Sequence, residues 1–364
     1  MKKYLPLAAF ALVLAACSEK PGYEIAGTVA DPDADGQYVY LYSYPYVEGT
    51  SIPADSALIQ NGTFTLKGAA SSPSLSVLVA PSGEDTPNTA IFMLENAHLK
   101  ASMDKDSYVS GTTENDSYTG LKKEINQLNA ELKQIAAELK SENQEVVKAA
   151  EQKYEQIDNA ITAKNKAYIL ANPDKQTAAL SFYNMRYNLT EDEQNEIVAK
   201  ADSAFKAVPG IDKMIAHLDV LKNVAVGKKF TDFEMADANG KMHKLSEYVG
   251  NGKVTLIDFW ASWCPPCRRE MPNLVAAYKQ YKNKGFEIIG ISLDSKADAW
   301  AKGVKDLNIT WPQLSDLQGW KNSGAALYGV NSIPHTLLVD KDGTIIAKNL
   351  HGQQLDQKLQ EVLP

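Results

Sequence analysis

Residues 258–267 read Asp-Phe-Trp-Ala-Ser-Trp-Cys-Pro-Pro-Cys, and this stretch decides the fold. It follows residues 254–257, Val-Thr-Leu-Ile, a short apolar run typical of strands that are covered on both faces. Pro265 and Pro266 fit the first turn of a helix, where a missing N–H group costs nothing. The sequence therefore predicts a buried strand that leads directly into a helix, with Cys264 at the junction.

The two cysteines of this stretch are placed for redox chemistry. Cys264 lies at or just before the helix N-terminus, where free N–H groups and the helix dipole stabilise a thiolate. Cys267 follows three residues later on the same helix face. Two such thiols can close a short disulfide, and the exposed one can attack a disulfide of another protein.

Two simpler interpretations of the cysteine pair fit less well. A zinc site needs four ligands, and the chain has neither a second Cys-x-x-Cys nor paired histidines. An inert structural disulfide would not require a junction between a buried strand and a helix. A redox-active pair is therefore the prediction, and no metal site is expected.

Through these residues the region from Val226 onward resembles the thioredoxin superfamily. It is most similar to the anchored extracytoplasmic thiol–disulfide reductases of the TlpA/ResA type, with AhpC/TSA-type relatives. The resemblance implies an α/β thioredoxin-like domain over residues 224–364. It also implies an oxidoreductase that needs no cofactor, because electrons pass between cysteines. Its partners would be disulfide-bonded exported proteins and a membrane thiol-transfer protein that donates electrons.

The resemblance assigns two further positions around the cysteines. Ile333-Pro334 matches the cis-proline loop, in which Pro334 faces the cysteine pair and the backbone of Ile333 pairs with a bound substrate strand. Asp258, six residues before Cys264, matches a carboxylate that thioredoxins bury beneath the second cysteine. Burial should raise its pKa, which would make it a proton acceptor for Cys267.

Other residues near the motif have less specific roles. Glu270 matches an acidic residue of ResA-type reductases and is expected to tune the site, although an exposed acid early in the helix is the simpler alternative. His335 either tunes thiol acidity or points elsewhere. The residues expected to contact the substrate are Trp263, Pro265, Pro266 and Ile333.

The N-terminus predicts a lipoprotein. Lys2 and Lys3 precede an apolar run from Leu5 to Ala16 that is too short to span a bilayer. Residues 14–17, Leu-Ala-Ala-Cys, match the bacterial lipobox, so residues 1–16 are interpreted as a signal peptide and Cys17 as the acylated residue. An uncleaved anchor or a free cysteine is the alternative. The mature protein is expected to be extracytoplasmic and anchored to a bacterial membrane by lipid.

Between this N-terminus and the redox domain, the sequence predicts three more segments. A tether over residues 17–22 leads to a small antiparallel β-sandwich over 23–116, where short strands recur and Asn61-Gly62 marks a hairpin turn. This segment resembles the N-terminal β-domain of unknown function that often precedes thioredoxin-like domains in Bacteroidetes lipoproteins. Residues 117–223 are helical, with a capping box at Thr190 and Glu193.

The longest helical pattern leaves two arrangements open. Apolar residues recur in steps of four and three from Leu121 to Leu139, and the pattern continues to Ile161. A capping box from Ser141 to Gln144 would divide it into a helical hairpin. We favour one long or gently broken helix, with its apolar seam packed within the chain rather than in a dimer. The oligomeric state is left open.

Composition limits the possible functions. The 364 residues are 44% hydrophobic and 23% charged, which is ordinary for globular domains. A net charge of −8 without a basic block argues against nucleic acid as a partner. The sequence therefore predicts a disulfide reductase. The alternatives are a thiol peroxidase of the peroxiredoxin type and a surface-binding lipoprotein with secondary redox activity.

Overall fold

The structure is a computed structural model that describes residues 22–251 and 253–363. The chain forms two compact units, and the boundary between them falls between Asp212 and Lys213. Cys17 and the predicted signal peptide lie outside the described residues. The finer division at residues 23–116, 117–223 and 224–364 stays a prediction.

Strands that form two sheets make up the first part of the N-terminal unit. They are β1 Tyr23–Val29, β2 Tyr38–Ser43, β3 Asp55–Leu58, β4 Thr63–Gly68, β5 Ser74–Ala80, β6 Asn88–Leu94, β7 His98–Met103 and β8 Tyr108–Ser110. One sheet has the order β4-β1-β7-β8 and the other the order β3-β2-β5-β6. The pairing is antiparallel, as predicted, except that β1 and β7 run parallel.

The two sheets share one apolar core. Side chains from the first sheet, such as Ile25 and Leu66, belong to the same buried cluster as Leu41 and Phe92 from the second. The predicted turn at Asn61-Gly62 is present, and both residues adopt a left-handed backbone between β3 and β4. The β-sandwich prediction is confirmed.

Helices follow these sheets, and they correct one prediction. They are α1 Thr113–Ile135, α2 Gln144–Ala171, α3 Gln176–Met185, α4 Glu191–Lys200, α5 Ser203–Lys206 and α6 Ile211–Asn223, which crosses the unit boundary. The long apolar seam belongs to two helices, α1 and α2, rather than to one long helix. The capping box at Thr190 and Glu193 is confirmed at the start of α4.

The physical cause of the break lies in the connection between α1 and α2. Asn143, not Ser141, caps α2 by accepting a hydrogen bond from the Glu145 N–H at 3.0 Å. The helices then pack against each other, with Ile135 and Ile157 in one buried cluster. The seam is therefore satisfied within the chain, as predicted, but as a helical hairpin.

The C-terminal unit contains a mixed sheet and helices. Its remaining elements are β9 Glu234–Ala236, β10 Met242–Lys244, β11 Val254–Trp260, α7 Pro265–Tyr281, β12 Phe286–Ser292, α8 Ala297–Asp306, β13 Gln313–Leu314, α9 Ser323–Leu327, β14 His335–Val339, β15 Ile345–Lys348 and α10 Gly352–Val362. The main sheet has the order β13-β12-β11-β14-β15. Strand β11 runs parallel to β12 and antiparallel to β14.

Strand β11 is the centre of this unit. Every one of its residues is buried, and because successive side chains point to opposite faces, the sheet is covered on both sides. A single apolar cluster includes Leu256 and Phe259 from β11, Leu274 from α7 and Leu359 from α10. The predicted α/β thioredoxin-like architecture is confirmed, and it places the end of β11 at the start of α7.

Candidate active site

Cys264 occupies the cap position of helix α7, as its sequence context predicted. Its backbone is extended, Pro265 and Pro266 form the first helical positions, and its Sγ accepts the N–H of Cys267 at 3.2 Å. A helix N-terminus offers several free N–H groups, but the two prolines have none. The N–H of Cys267 is therefore the first one in the helix that can reach the sulfur.

The two cysteines form a disulfide, with Cα atoms 5.3 Å apart. Both residues are buried in this oxidised form, with Cys264 3% and Cys267 1% exposed. The expectation of an exposed attacking cysteine is therefore not met in the oxidised state. Cys264 is the slightly more accessible partner, and its neighbours Pro265 and Pro266 are exposed.

The loop before β14 approaches Cys264 from another part of the chain. The bond between Ile333 and Pro334 is cis, as the family resemblance implied. The Cys264 Sγ lies 3.6 Å from the carbonyl oxygen of Ile333. A disulfide sulfur carries no proton, so this is a contact in the oxidised state and becomes available as a hydrogen bond only after reduction. The fold thus brings residues 264 and 333 together.

Asp258 is buried in β11 at 1% exposure. Within the described residues, neither of its carboxylate oxygens has a hydrogen-bond partner. Burial, followed by the negative charge of Glu270, raises the pKa of Asp258 to about 7. The rise occurs because a buried carboxylate loses its hydration without receiving donors in exchange. Its proton is therefore exchangeable near neutral pH.

Glu270 connects two helices and is not a free acid on the surface. Its Oε1 accepts the N–H of Gly352, the first residue of α10, at 2.7 Å. Its Oε2 accepts a hydrogen bond from the Asn273 side chain at 3.0 Å. A carboxylate at a helix N-terminus interacts favourably with the helix dipole. Glu270 therefore stabilises the start of α10 while its charge acts on Asp258.

A second buried carboxylate, Asp294, was missed by the sequence analysis. It lies just after β12 and accepts three hydrogen bonds, from the Ser262 N–H at 3.0 Å, the Ser262 hydroxyl at 2.6 Å and the Ser292 hydroxyl at 2.8 Å. The guanidinium of Arg268 donates to the Ser262 carbonyl at 3.2 Å. The turn before Cys264 is thus held from both sides. The available signal was an acid at the carboxyl end of a buried strand, where sites of α/β sheets form.

The tryptophans of the motif lie in different environments. Trp260 is fully buried and donates its indole N–H to the Gln313 side chain at 2.9 Å. Trp263 is 49% exposed, and its ring centroid lies 6.1 Å from that of Trp320. Trp320 was also missed by the sequence analysis, although a tryptophan in a short glycine-containing turn was a visible signal.

His335 faces away from the carboxylate of β11. Its ring lies 6.2 Å from that of Phe259, and neighbouring residues of a strand point to opposite faces, so Phe259 and Asp258 lie on opposite sides. Burial, then the positive charges of Lys348 and His351, lower the pKa of His335 to about 4. These contacts favour the alternative in which His335 points elsewhere.

The described residues contain neither a metal-binding cluster nor a membrane-spanning helix. No group of three or more His, Cys, Asp or Glu side chains in residues 22–251 and 253–363 is arranged to hold a metal ion. Over the same described ranges, no helix combines the length and apolar character needed to cross a bilayer.

Two protein-family models match the chain. The AhpC/TSA family matches residues 226–348, and a domain of unknown function, DUF4369, matches residues 23–118. The first match contains the whole junction from β11 to α7 and the cis-proline loop. The second covers the sheets of the N-terminal unit.

Curated relatives and solved structures resemble the C-terminal unit. Thiol-disulfide oxidoreductase ResA of Bacillus thuringiensis subsp. konkukian is 34% identical over 142 residues, which cover 39% of this chain and 79% of that protein. ResA of Geobacillus thermodenitrificans is 33% identical over 144 residues, covering 39% and 80%. The thioredoxin domain of a thiol-disulfide oxidoreductase from Bacteroides vulgatus is 31% identical and covers 38% of this chain and 99% of that chain, with a TM-score of 0.36.

A thiol-disulfide oxidoreductase from Bacteroides fragilis is 32% identical and covers 37% of this chain and 100% of that chain, with a TM-score of 0.36. The ResA relatives are matched over most of their own length, and the residues that match the AhpC/TSA family include the disulfide site described above. The chain therefore belongs to the ResA-type family of thiol-disulfide oxidoreductases, and it is an enzyme of this thioredoxin-like class.

Proposed function

We propose that the protein is an extracytoplasmic, lipid-anchored disulfide reductase that acts through Cys264 and Cys267. The observation that carries the proposal is the disulfide at the start of α7, with the Cys264 sulfur 3.6 Å from the Ile333 carbonyl. An extended substrate segment that pairs with the backbone of Ile333 would bring its own disulfide to this sulfur.

The reaction begins with the reduced dithiol. The Cys264 thiolate attacks one sulfur of the substrate disulfide, which forms a mixed disulfide and releases the other substrate sulfur as a thiolate. The Cys267 thiol then loses its proton and attacks the Cys264 sulfur. This second step releases the remaining substrate thiol and regenerates the protein disulfide, so two electrons have passed to the substrate.

Asp258 is the proposed acceptor of the Cys267 proton. A general base works best when its pKa lies near the working pH, and the pKa of Asp258 is raised to about 7. Its two oxygens have no hydrogen-bond partner within the described residues, so no donor competes with the incoming proton. Glu270 tunes this group by its charge and is not itself the acceptor.

The direction of electron flow follows from what surrounds Cys264. Strong oxidants of this superfamily have an exceptionally acidic attacking thiol, which stabilises their reduced form. Here Pro265 and Pro266 provide neither charge nor a hydrogen-bond donor, and the Cys267 N–H is the donor observed at the sulfur. Modest stabilisation of the thiolate favours a reductase, which a membrane thiol-transfer protein would recharge.

The test of the mechanism uses three variants of the full chain, namely Cys267→Ser, Cys264→Ser and the double variant that combines them. Cys267→Ser should accumulate a covalent complex with a disulfide-bonded substrate protein such as insulin, because the mixed disulfide cannot be resolved. Cys264→Ser should form no such complex. Trapping through Cys267 instead would reverse the assigned roles, and insulin reduction by the double variant at the normal rate would reject the mechanism.

The direction of electron flow is tested by equilibrating the protein with glutathione buffers and measuring its reduction potential. We expect a potential nearer to about −270 mV than to about −120 mV, the values of a cytoplasmic reductant and a periplasmic oxidant of this superfamily. A potential above about −150 mV would reverse the assigned direction of electron flow.

The anchoring proposal rests on the lipobox that ends at Cys17 and is tested separately. The full chain expressed in a bacterium should incorporate labelled fatty acid and sediment with membranes. Cys17→Ser should do neither. A Cys17→Ser chain that keeps both properties would contradict acylation at this residue without affecting the redox mechanism.

A further inference from the structure

Two exposed indole rings lie close together, and one of them belongs to the residue next to the disulfide. Trp263 directly precedes Cys264 and is 49% exposed, and Trp320 is 53% exposed. Their ring centroids are 6.1 Å apart and their planes are inclined by 57°. Large aromatic side chains gain most from burial, so two of them left open to solvent in one place mark an interaction surface.

Several hydrogen bonds stabilise the turn that contains Trp320. The Asp316 carboxylate accepts hydrogen bonds from the Ser323 N–H at 2.8 Å, the Ser323 hydroxyl at 3.1 Å and the Asn322 amide at 3.0 Å. Leu317 and Gly319 have φ values of 56° and 57°, a left-handed conformation that is costly for leucine. These bonds hold the turn in a conformation that the backbone alone would not favour.

The same turn is attached to the end of β12. Asn322 is fully buried, and its Oδ1 accepts the N–H of Ala325 at 2.8 Å. The Ser315 hydroxyl donates to the carbonyl of Ser292, the last residue of β12, at 2.9 Å. The hydroxyl of Ser292 also supports the turn before Trp263, through Asp294. The two tryptophans are therefore positioned by one connected set of hydrogen bonds.

The position of the two tryptophans indicates which molecule they would contact. In the mixed disulfide, the substrate sulfur lies about 2 Å from the sulfur of Cys264. The residues on either side of the substrate cysteine are then one Cα step, about 3.8 Å, further along its chain. They must pass over the surface next to Cys264, and Trp263 belongs to that surface. The occupant of this surface is thus the substrate itself.

We propose that Trp320 is a specificity-determining residue of the reductase. Together with Trp263, it forms an indole platform that receives an aromatic or large aliphatic side chain next to the reactive cysteine of the substrate. The proposal rests on the proposed reductase function and adds a substrate class to it. Such ring contacts should favour a substrate with an aromatic side chain over one without it by roughly tenfold in rate, which corresponds to about 1.4 kcal/mol.

The test compares two peptide disulfides that differ at one position. Each is a homodimer linked by its single cysteine, with phenylalanine before that cysteine in one peptide and glycine in the other. The full-length protein is first reduced and freed of reductant, and its oxidation by each peptide is then followed in a single turnover. One protein dithiol and one peptide disulfide give one protein disulfide and two peptide thiols.

The compared quantity is the ratio of the two second-order rate constants. Wild type should prefer the phenylalanine peptide by roughly tenfold, Trp320→Ala should reduce this ratio to about one, and Trp320→Phe should restore most of it. Met242→Ala removes another exposed apolar side chain of the same unit, on β10, and should keep the wild-type ratio.

The outcomes separate this inference from the function on which it rests. If wild type reduces neither peptide, the reductase function fails. If wild type reduces both peptides at the same rate, or if Trp320→Ala keeps the wild-type ratio, the reductase function stands and the assignment of Trp320 is wrong. A loss of the ratio in Met242→Ala as well would also overturn the assignment, because the effect would not be specific to the platform.

Discussion

Asp258 and Asp294 are both carboxylates at 1% exposure in the C-terminal unit, yet their surroundings differ completely. Asp258 has no hydrogen-bond partner within the described residues, whereas Asp294 accepts three hydrogen bonds from Ser262 and Ser292. Burial by itself therefore does not decide what a carboxylate does. A buried carboxylate without donors has a raised pKa and can exchange a proton. A buried carboxylate with donors instead holds the backbone of the neighbouring turn in place.

The largest effect of the Asp258 environment is expected on stability. The pKa of Asp258 is raised from 3.8 to about 7, so between these values the unfolded chain ionises while the native protein keeps the proton. Native stability is lost as pH rises through this window, and the full loss above pH 7 is on the order of 4 kcal/mol. Asp258→Asn cannot ionise and should lack this loss.

The measurement is urea unfolding of both oxidised proteins at pH 4 and pH 8. The free energy of unfolding of Asp258→Asn relative to wild type should be higher at pH 8 than at pH 4 by on the order of 4 kcal/mol. Asp298→Asn, at an exposed position of α8, should follow wild type at both values. A difference that does not depend on pH would mean that the pKa of Asp258 is the same in the native and the unfolded protein.

The next largest effect is expected on the rate. Asp258→Asn should slow the resolving step at pH 7 by about 100-fold, the usual contribution of a general base. In wild type the rate should rise with pH through about 7, the pKa of Asp258, and the variant should lack this inflection. Release of the second substrate thiol after rapid mixing measures the step. An unchanged pH–rate profile would remove Asp258 from the mechanism and leave Glu270 as the better candidate.

Asp294→Asn changes the buried carboxylate that does accept hydrogen bonds. An amide in place of the carboxylate loses charge-assisted acceptors and opposes one donor with its own NH2 group, which should cost about 1–3 kcal/mol. At pH 8 the asparagine substitutions at 258 and 294 should therefore change the free energy of unfolding in opposite directions. Trp263 fluorescence should change in Asp294→Asn, because the turn before Cys264 loses its support. Changes in the free energy of unfolding that have the same sign for both substitutions would contradict the proposed difference between Asp258 and Asp294.

The smallest effect is expected at Glu270. Glu270→Gln removes the charge that helps to raise the pKa of Asp258, so the inflection of the pH–rate profile should move to lower pH. It also weakens the acceptor for the Gly352 N–H at the start of α10, by about 0.5–1 kcal/mol of stability. An inflection that stays in place would show that Glu270 acts only on α10.

The strongest local signals in the sequence predicted the centre of the molecule. An apolar β-branched run, two prolines and two cysteines specify β11, the start of α7 and the disulfide, because each residue acts on its immediate neighbours. The Ile333-Pro334 loop could be added only by family resemblance. Its approach to Cys264 depends on a pairing between β11 and β14 across most of the unit.

The features that were missed depend on contacts between distant residues. Two of the three donors to Asp294 belong to Ser262, 32 positions earlier, and Trp320 meets Trp263 only after the sheet has formed. In the N-terminal unit, the periodic seam allowed either one helix or two. The choice was decided by Asn143 as a cap and by the packing of Ile135 with Ile157, which a repeat of four and three does not encode.

The bond between Glu270 and Gly352 has a consequence for biosynthesis. These partners are 82 positions apart, so at roughly 5–20 residues per second the ribosome adds Gly352 on the order of 4–16 s after Glu270. Cys264 and Cys267 are only three positions apart and can join as soon as both are exposed to an oxidant. The disulfide can therefore form before the hydrogen bond between Glu270 and Gly352 is in place. The first oxidation of the pair does not require this hydrogen bond, because the disulfide can form before Gly352 has been added to the chain.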